Sequence, residues 1–286
     1  MNKILVTGSK GQLGSEIIEL SVTYPNYNFV FTDLEKLDVT NHSAVAAFIE
    51  SNNINVIINC AAFTAVDKAE SEPVLSDSIN HLAVANFAQI AKDKNIKLIH
   101  ISTDYVFDGI NYKPYIEKDV PNPKSVYGLT KLNGEQAMKQ INPSNSIIIR
   151  TSWVYSKFGN NFVKTMLRLA ETRDEISVVS DQIGSPTNAA DLANTILNIL
   201  PKINNQTVEV FHYSNLGVAS WYDFAKAIFE ITNITIKVNA IETIQYPTPA
   251  NRPYYSLLNK SKIMEKYNID ALHWRDSLQR CMKNIK

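Results

Sequence analysis

The chain has 286 residues, 45% of them hydrophobic, and its 28 basic and 28 acidic side chains cancel to a formal net charge of zero. That length predicts one principal domain and a smaller lobe. A balanced chain carries no global field for nucleic acid or anionic lipid, so any phosphate it binds must be held by local groups. Cys60 and Cys281 fit no metal or redox spacing and read as reduced thiols. The start, MNKILVTGSKG, lacks the apolar run and cleavage site of a secretory signal. No stretch approaches the roughly 20 apolar residues needed to cross a bilayer, and a cytoplasmic location is expected.

In chain order, strands are predicted at Lys3–Thr7, Asn28–Thr32, Val56–Asn59, Lys97–Ser102 and Ser146–Arg150. Helices are predicted at Gln12–Leu20, Ser43–Ser51, Ser76–Lys92 and Val126–Gln140. This alternation, with strands that are continuous apolar runs, predicts an α/β fold: a Rossmann-type, doubly wound parallel sheet covered by helices on both faces. After Trp153 the pattern loosens. Helices at Phe162–Glu171, Ala189–Leu200 and Ser220–Ile231 alternate with short strands, and three prolines punctuate Tyr246–Pro253. Residues 1–155 are therefore expected to form a dinucleotide-binding domain, and 156–286 a smaller C-terminal α/β lobe with segments crossing back to the first domain.

The first predicted strand runs into Thr7-Gly8-Ser9-Lys10-Gly11-Gln12-Leu13-Gly14. Glycines at this spacing, between a strand and a helix, fit a dinucleotide loop. Gly8 permits the tight turn, Gly11 lets backbone approach a pyrophosphate, and Gly14 lets helix and strand pack closely. The helix N-terminus supplies free N–H groups and the positive end of its dipole. Asp33 ends the second strand, where a carboxylate can accept from ribose hydroxyls and favours NADH; Lys36 nearby could offset repulsion of a 2′-phosphate. Asp38 and Val39 are placed to flank the adenine. The small residues Ala61 and Ala62, at the end of the third strand, leave room for a flat cofactor.

Tyr127 and Lys131 stand four residues apart, on one face of a predicted helix. An ammonium stabilises a phenolate and brings tyrosine's ordinary pKa, near 10, toward the working range of a general acid. Tyr222 and Lys226 repeat the spacing on an amphipathic helix without a glycine loop or a strand-end hydroxyl, and read as structural. The strand before Tyr127 ends in Ser102-Thr103, whose hydroxyls can orient a carbonyl. His100 reads as a packed strand residue. His42, His81, His212 and His273 form no metal-ligand spacing. No serine–histidine–acid pattern suggests a hydrolase, and no zinc or nucleic-acid motif is present.

Together these motifs resemble the extended short-chain dehydrogenase/reductase superfamily. The runs from Ala62 to Glu70, Ser102 to Gly109, Val126 to Glu135, Arg150 to Tyr155, Gly159 to Phe162, Asp181 to Thr187 and Tyr246 to Pro253 resemble the dTDP-4-dehydrorhamnose reductase family over nearly the whole chain. The resemblance implies NADPH or NADH as cofactor and a nucleotide-sugar substrate, reduced at the C4 keto group of dTDP-4-dehydro-L-rhamnose. It implies Tyr127 as proton donor, Lys131 as its partner and ribose ligand, and Thr103 in place of the superfamily's usual serine. Thr103, Asp104 and Tyr105 would contact the sugar and Trp153 would wall it. Gly11, Gln12 and Leu13 would hold the pyrophosphate; Asp33, Asp38 and Val39 would flank the adenosine; Ala62, Phe63 and Thr64 would line the cofactor. Arg252 would grip the diphosphate bidentately. A homodimer is compatible with the resemblance. A magnesium-bridged one is not expected, because Glu16 matches one ligand position but Ala189-Ala190-Asp191 and the C-terminus offer no matching glutamates. Two alternatives stay open: a reductase of another nucleotide 4-keto-6-deoxy sugar, and a non-catalytic NAD(P)-binding subunit like the regulatory subunit of methionine adenosyltransferase.

Overall fold

The structure, a computed structural model, describes residues 2–285. The first half contains β1 (Asn2–Thr7), α1 (Gln12–Ser21), β2 (Tyr27–Phe31), α2 (His42–Ser51), β3 (Val56–Asn59), the short α3 (Val66–Ala69) and α4 (Pro73–Asp77), α5 (Ala83–Lys94), β4 (Lys97–Thr103), α6 (Val126–Ile141) and β5 (Ser146–Thr151). The second contains β6 (Val154–Tyr155), α7 (Phe162–Ala170), β7 (Glu175–Val179), β8 (Ile183–Gly184), β9 (Thr187–Asn188), α8 (Ala189–Ile199), β10 (Glu209–His212), β11 (Ala219–Ser220), α9 (Trp221–Thr232), β12 (Lys237–Ile241), α10 (Ser261–Tyr267) and α11 (Trp274–Met282).

Six parallel strands form the main sheet in the order β2-β1-β3-β4-β5-β10. Every residue of β3 and β5 is buried, as two covered faces require. On one face Ile4, Val6, Ile58, Ile99 and Ile149 pack with Ile17 of α1 and Leu192 and Ile196 of α8. On the other, Leu5, Ile57, Leu98 and Ile148 pack with Val45 of α2, Phe87 of α5 and Met138 of α6. The strand order reverses between β1 and β3, and the crevice above such a point is where open α/β sheets bind ligands.

The second half contributes β10 as the sixth strand and α8 as a cover for α1. Ile263 and Tyr267 of α10 also join the main core, while β6, α7, β7, α9 and α11 surround a separate cluster of Tyr155, Val163, Ile176, Phe224, Ile228, Trp274 and Leu278. Tyr222, the decoy of the Tyr–Lys spacing, packs against that cluster. Among the described residues no helix is long and apolar enough to cross a membrane.

The helix expected over Ser76–Lys92 is interrupted. One π-helical turn, Ser78–Leu82, separates α4 from α5. Its cause is tertiary: the Asn80 side chain turns inward, accepts from the Phe63 N–H at 2.9 Å and donates to the Phe63 carbonyl at 3.1 Å. Such bulges trade one local hydrogen bond for a side chain aimed at a site. Here the bulge pins the segment after β3.

Candidate active site

The glycine loop closes β1 onto α1. Gly8 has a positive φ of 61°, and a Cβ there would stand 2.7 Å from the Ala61 nitrogen. A Cβ at Gly14 would come within 2.4 Å of the Gly8 carbonyl. The loop is therefore as tight as backbone allows. Side chains of Asn41, Ser125, Asn161, Asn188 and Ser220 cap α2, α6, α7, α8 and α9. In contrast α1 begins at Gly11 with no side-chain cap. Its first N–H groups thus need an acceptor from outside the helix, which an anion supplies.

Around this cradle the expected cofactor residues divide into two kinds. Asp33 accepts backbone N–H bonds from Lys10 and Leu34, both at 2.8 Å, and so shapes the rim of the loop. Asp38 accepts from the Thr40 N–H at 2.9 Å and its hydroxyl at 2.7 Å. Leu13 and Val39 bury their side chains in opposite cores, leaving only backbone to face a ligand. Gln12 reaches the other half of the chain, accepting from Asn161 at 3.1 Å. Ala61, Ala62 and Phe63 are half-buried along the crevice and Thr64 is exposed.

β4 and α6 assemble the chemistry. Thr103 ends β4 and accepts from the Tyr105 N–H at 3.2 Å while donating to Asp104 Oδ1 at 3.0 Å. Tyr127 sits in the first turn of α6, and Tyr105 meets it edge-on with ring centroids 5.5 Å apart. Burial pushes the Tyr127 phenol up to about 12; the Thr103 hydroxyl beside it pulls it down and the Asp104 carboxylate pushes it up. Burial raises the Asp104 carboxyl to about 7 despite the hydrogen bond from Thr103, and its Oδ2 is buried without a partner.

Lys131 departs from the expectation drawn from its spacing. It shares the helix face of Tyr127, but its ammonium donates to the Ile101 carbonyl at 2.6 Å and lies 3.3 Å from His100 Nε2. Burial brings Lys131 itself down to about 8, opposed by the charge of Glu135. In this arrangement desolvation of the phenol outweighs any stabilisation from the ammonium.

Residues from distant segments complete the crevice. Arg252 pairs with Asp67 at 2.7 Å, and the charges of both act on the Tyr105 phenol. Trp153 adopts a left-handed φ of 50° and stacks on Trp221 with centroids 3.6 Å apart. Gly184 lies beneath it: a Cβ there would stand 2.8 Å from the Trp153 ring and 2.7 Å from Ser256 Oγ. Ser256 directs its hydroxyl to the Ile183 carbonyl at 3.4 Å. Thr103, Asp104, Tyr105 and Tyr127 thus stand together, with Arg252 acting on Tyr105 and Trp153 packed against Gly184 next to Ser256.

Sequence reasoning missed Asp67, His100, Glu135 and Arg150. Asp67 lies inside a motif already singled out, and its acidity opposite Arg252 is the only signal. Glu135 and Arg150 form a fully buried bidentate pair, with Arg150 Nε donating at 2.8 Å and Nη2 at 2.6 Å. Ser102 adds a 2.6 Å hydrogen bond to the same carboxylate. Burial alone would raise Glu135, but the Arg150 guanidinium and the Ser102 hydroxyl hold it below the ordinary carboxylate range. Glu16 is buried, raised by desolvation, and takes a 2.5 Å hydrogen bond from Ser156. Asp191 is paired with Arg280 and bonded to Ser277.

A family model described as the RmlD substrate binding domain matches residues 1–286. A dTDP-4-dehydrorhamnose reductase of Aggregatibacter actinomycetemcomitans is 43% identical over all of this chain and 99% of its own. The chain belongs to the dTDP-4-dehydrorhamnose reductase family. Crystal structures agree with that membership. A family member from Clostridium acetobutylicum superposes with a TM-score of 0.93 at 43% identity, covering 99% of both chains. Another, from Bacillus anthracis and in complex with NADP, gives 0.94 at 38% identity over 99% of this chain and all of its own.

Proposed function

We propose that this chain reduces the C4 keto group of dTDP-4-dehydro-L-rhamnose to dTDP-L-rhamnose with NADPH or NADH, in the cytoplasm. The observation that carries this reading is the meeting of an uncapped glycine loop with Thr103 and Tyr127 at one sheet edge, in a chain that matches the family end to end. The reading takes residues 1–155 as the dinucleotide-binding part and 156–286 as the substrate lobe, with α8 and β10 returned to the first part. It requires no metal and permits a homodimer.

The residues present fit a dinucleotide: the N–H groups at the start of α1 would take its pyrophosphate, Asp33 its ribose, and Ala61 to Thr64 its nicotinamide half. When bound, such a cofactor would supply the hydride for the carbonyl carbon. The chain supplies everything else. Thr103 turns its one hydroxyl proton from Asp104 to the carbonyl oxygen and fixes its position. Tyr127 delivers a proton to that oxygen, and the high pKa that burial gives its phenol keeps it protonated until charge develops there. Lys131 directs its remaining donor to the cofactor ribose from its anchorage on β4. Asp104 takes a sugar hydroxyl on its unpartnered oxygen. Trp153 walls the ring, and Arg252, steered by Asp67, takes the diphosphate.

The test is nicotinamide oxidation with dTDP-4-keto-6-deoxy-glucose, with and without its 3,5-epimerase. Oxidation that depends on the epimerase and yields dTDP-rhamnose is expected. Oxidation without the epimerase would move the substrate to another nucleotide 4-keto sugar. Folded protein that oxidises neither cofactor would overturn the enzymatic reading.

A further inference from the structure

The strand register sets three polar side chains in a row. Thr7 of β1 stands beside Asn59 of β3, and Asn59 beside His100 of β4. They share the face of Leu5, Ile57 and Leu98, which α6 covers. All three are buried. Thr7 Oγ1 lies 2.7 Å from Asn59 Oδ1, Asn59 Nδ2 lies 3.2 Å from His100 Nδ1, and His100 Nε2 lies 3.3 Å from Lys131 Nζ. At the far end the Ala61 N–H reaches Thr7 Oγ1 at 3.4 Å.

A neutral imidazole has one donor nitrogen and one acceptor, whereas an ammonium has only donors. If Asn59 donates to His100 Nδ1, the proton of His100 is on Nε2, and that N–H needs a lone pair on Lys131: the neutral amine. If Lys131 is an ammonium, Nε2 must accept, Nδ1 must carry the proton, and the Asn59 amide must turn its oxygen to His100 and its nitrogen to Thr7. Both arrangements keep the His100–Asn59 and His100–Lys131 hydrogen bonds. Neither needs a charge on His100, and burial together with the Lys131 charge holds its pKa well below the ordinary histidine value.

We infer that His100 is a positioning residue for Lys131, its tautomer exchanging with the protonation state of the lysine through a reversible Asn59 amide. This rests on the proposed role of Lys131 in the reductase. The exchange lets a buried lysine change charge without stranding a polar partner, which would otherwise cost its full desolvation. The titratable groups around Lys131 are His100 from β4, Cys60 at the end of β3, and Glu135 one turn along α6, itself neutralised by Arg150 of β5. The Cys60 thiol is raised to about 12 by burial and stays protonated, so His100 is the facing group that can change donor for acceptor.

The experiment uses the full chain labelled with ¹⁵N-histidine, followed by long-range ¹H–¹⁵N spectra from pH 6 to 9.5. His100 is expected neutral throughout, passing from the Nδ1–H to the Nε2–H tautomer as pH rises, with no transition in Lys131→Met. One tautomer at every pH, an imidazolium at pH 6, or an unchanged transition in Lys131→Met overturns the inference. A second arm compares pH profiles of kcat/KM. His100→Leu leaves Lys131 only the Ile101 carbonyl as acceptor and should move the alkaline limb about one pH unit lower, roughly a tenfold loss on that limb; His100→Gln, with a reversible amide, should recover most of it. Superimposable profiles for wild type and His100→Leu also overturn it. The spectra need no turnover, so failure of the proposed activity would leave this test intact.

Discussion

Replacing Arg150 by methionine tests the anchor of the catalytic helix. Arg150 is 1% exposed and Glu135 is 0% exposed, and the pair is bidentate. Removing the guanidinium strands a carboxylate that retains only the Ser102 hydroxyl and Lys139 at 3.7 Å. Breaking a buried pair in this way costs about 3–5 kcal/mol. That is a large share of the roughly 5–15 kcal/mol of a typical domain. At about 2–4 °C per kcal/mol, Tm should fall by about 10 °C. The loss depends on pH with a defined sign. Glu135 is held below its ordinary pKa, so the contribution of the pair is full above the carboxylate range and vanishes as pH falls through it. The gap between wild type and Arg150→Met should therefore be widest at pH 7 and narrow below about 4.5. Urea melts at several pH values measure it. Glu135→Met combined with Arg150→Met should recover much of the loss, since no charge is then stranded. A single-variant cost under about 1 kcal/mol, or a double variant no better than Arg150→Met, would refute the reasoning.

Three other outcomes follow from the crevice. Tyr127→Phe should lower kcat about 10²–10⁴-fold with cofactor affinity, read by fluorescence titration, nearly unchanged. In the glycine loop, Gly14→Ala should abolish cofactor binding and lower Tm, because its Cβ meets backbone at 2.4 Å, whereas at Gly11 the nearest atom is 3.2 Å away and the fold should survive; dye-monitored melts and cofactor titrations separate the two. Trp153→Ala removes the stack on Trp221, worth about 1 kcal/mol beyond its buried area, and should raise KM for the sugar nucleotide about tenfold while leaving KM for the cofactor unchanged.

The parallel sheet was legible because apolar runs such as Val56–Asn59 need no partner to be recognised. The glycine loop was legible because its spacing, strand and helix are contiguous. What escaped depends on distant chain. Glu209–His212 is too short to announce itself, and nothing local says that it pairs with β5. The π-turn escaped because the helical pattern runs straight through Ser78–Leu82; the bonds from Asn80 to the distant Phe63 and Thr130 hold it. Spacing put Tyr127 and Lys131 on one face, but burial and the Ile101 carbonyl decide where the ammonium goes. The Asp67–Arg252 pair spans 185 positions, and no periodicity reaches that far.

The helix ends bear on how this chain could be hardened. α5, α6, α9 and α10 each stop on a left-handed asparagine: Asn95, Asn142, Asn233 and Asn268. Every glycine instead sits where a Cβ would meet another atom at 3.2 Å or less. The two residue types thus divide the work: glycine where space is lacking, asparagine where a helix ends in the left-handed region. Mutational tolerance should divide the same way. All the glycines except Gly11 and Gly159, at which a Cβ would come no nearer than 3.2 Å, form a rigid set that a thermostabilised variant must inherit unchanged. Asn233 and Asn268 form an adjustable set, at which glycine meets the same angle without the steric penalty a Cβ carries there, whereas Asn95 and Asn142 also accept hydrogen bonds from Ser144 and the Val208 N–H.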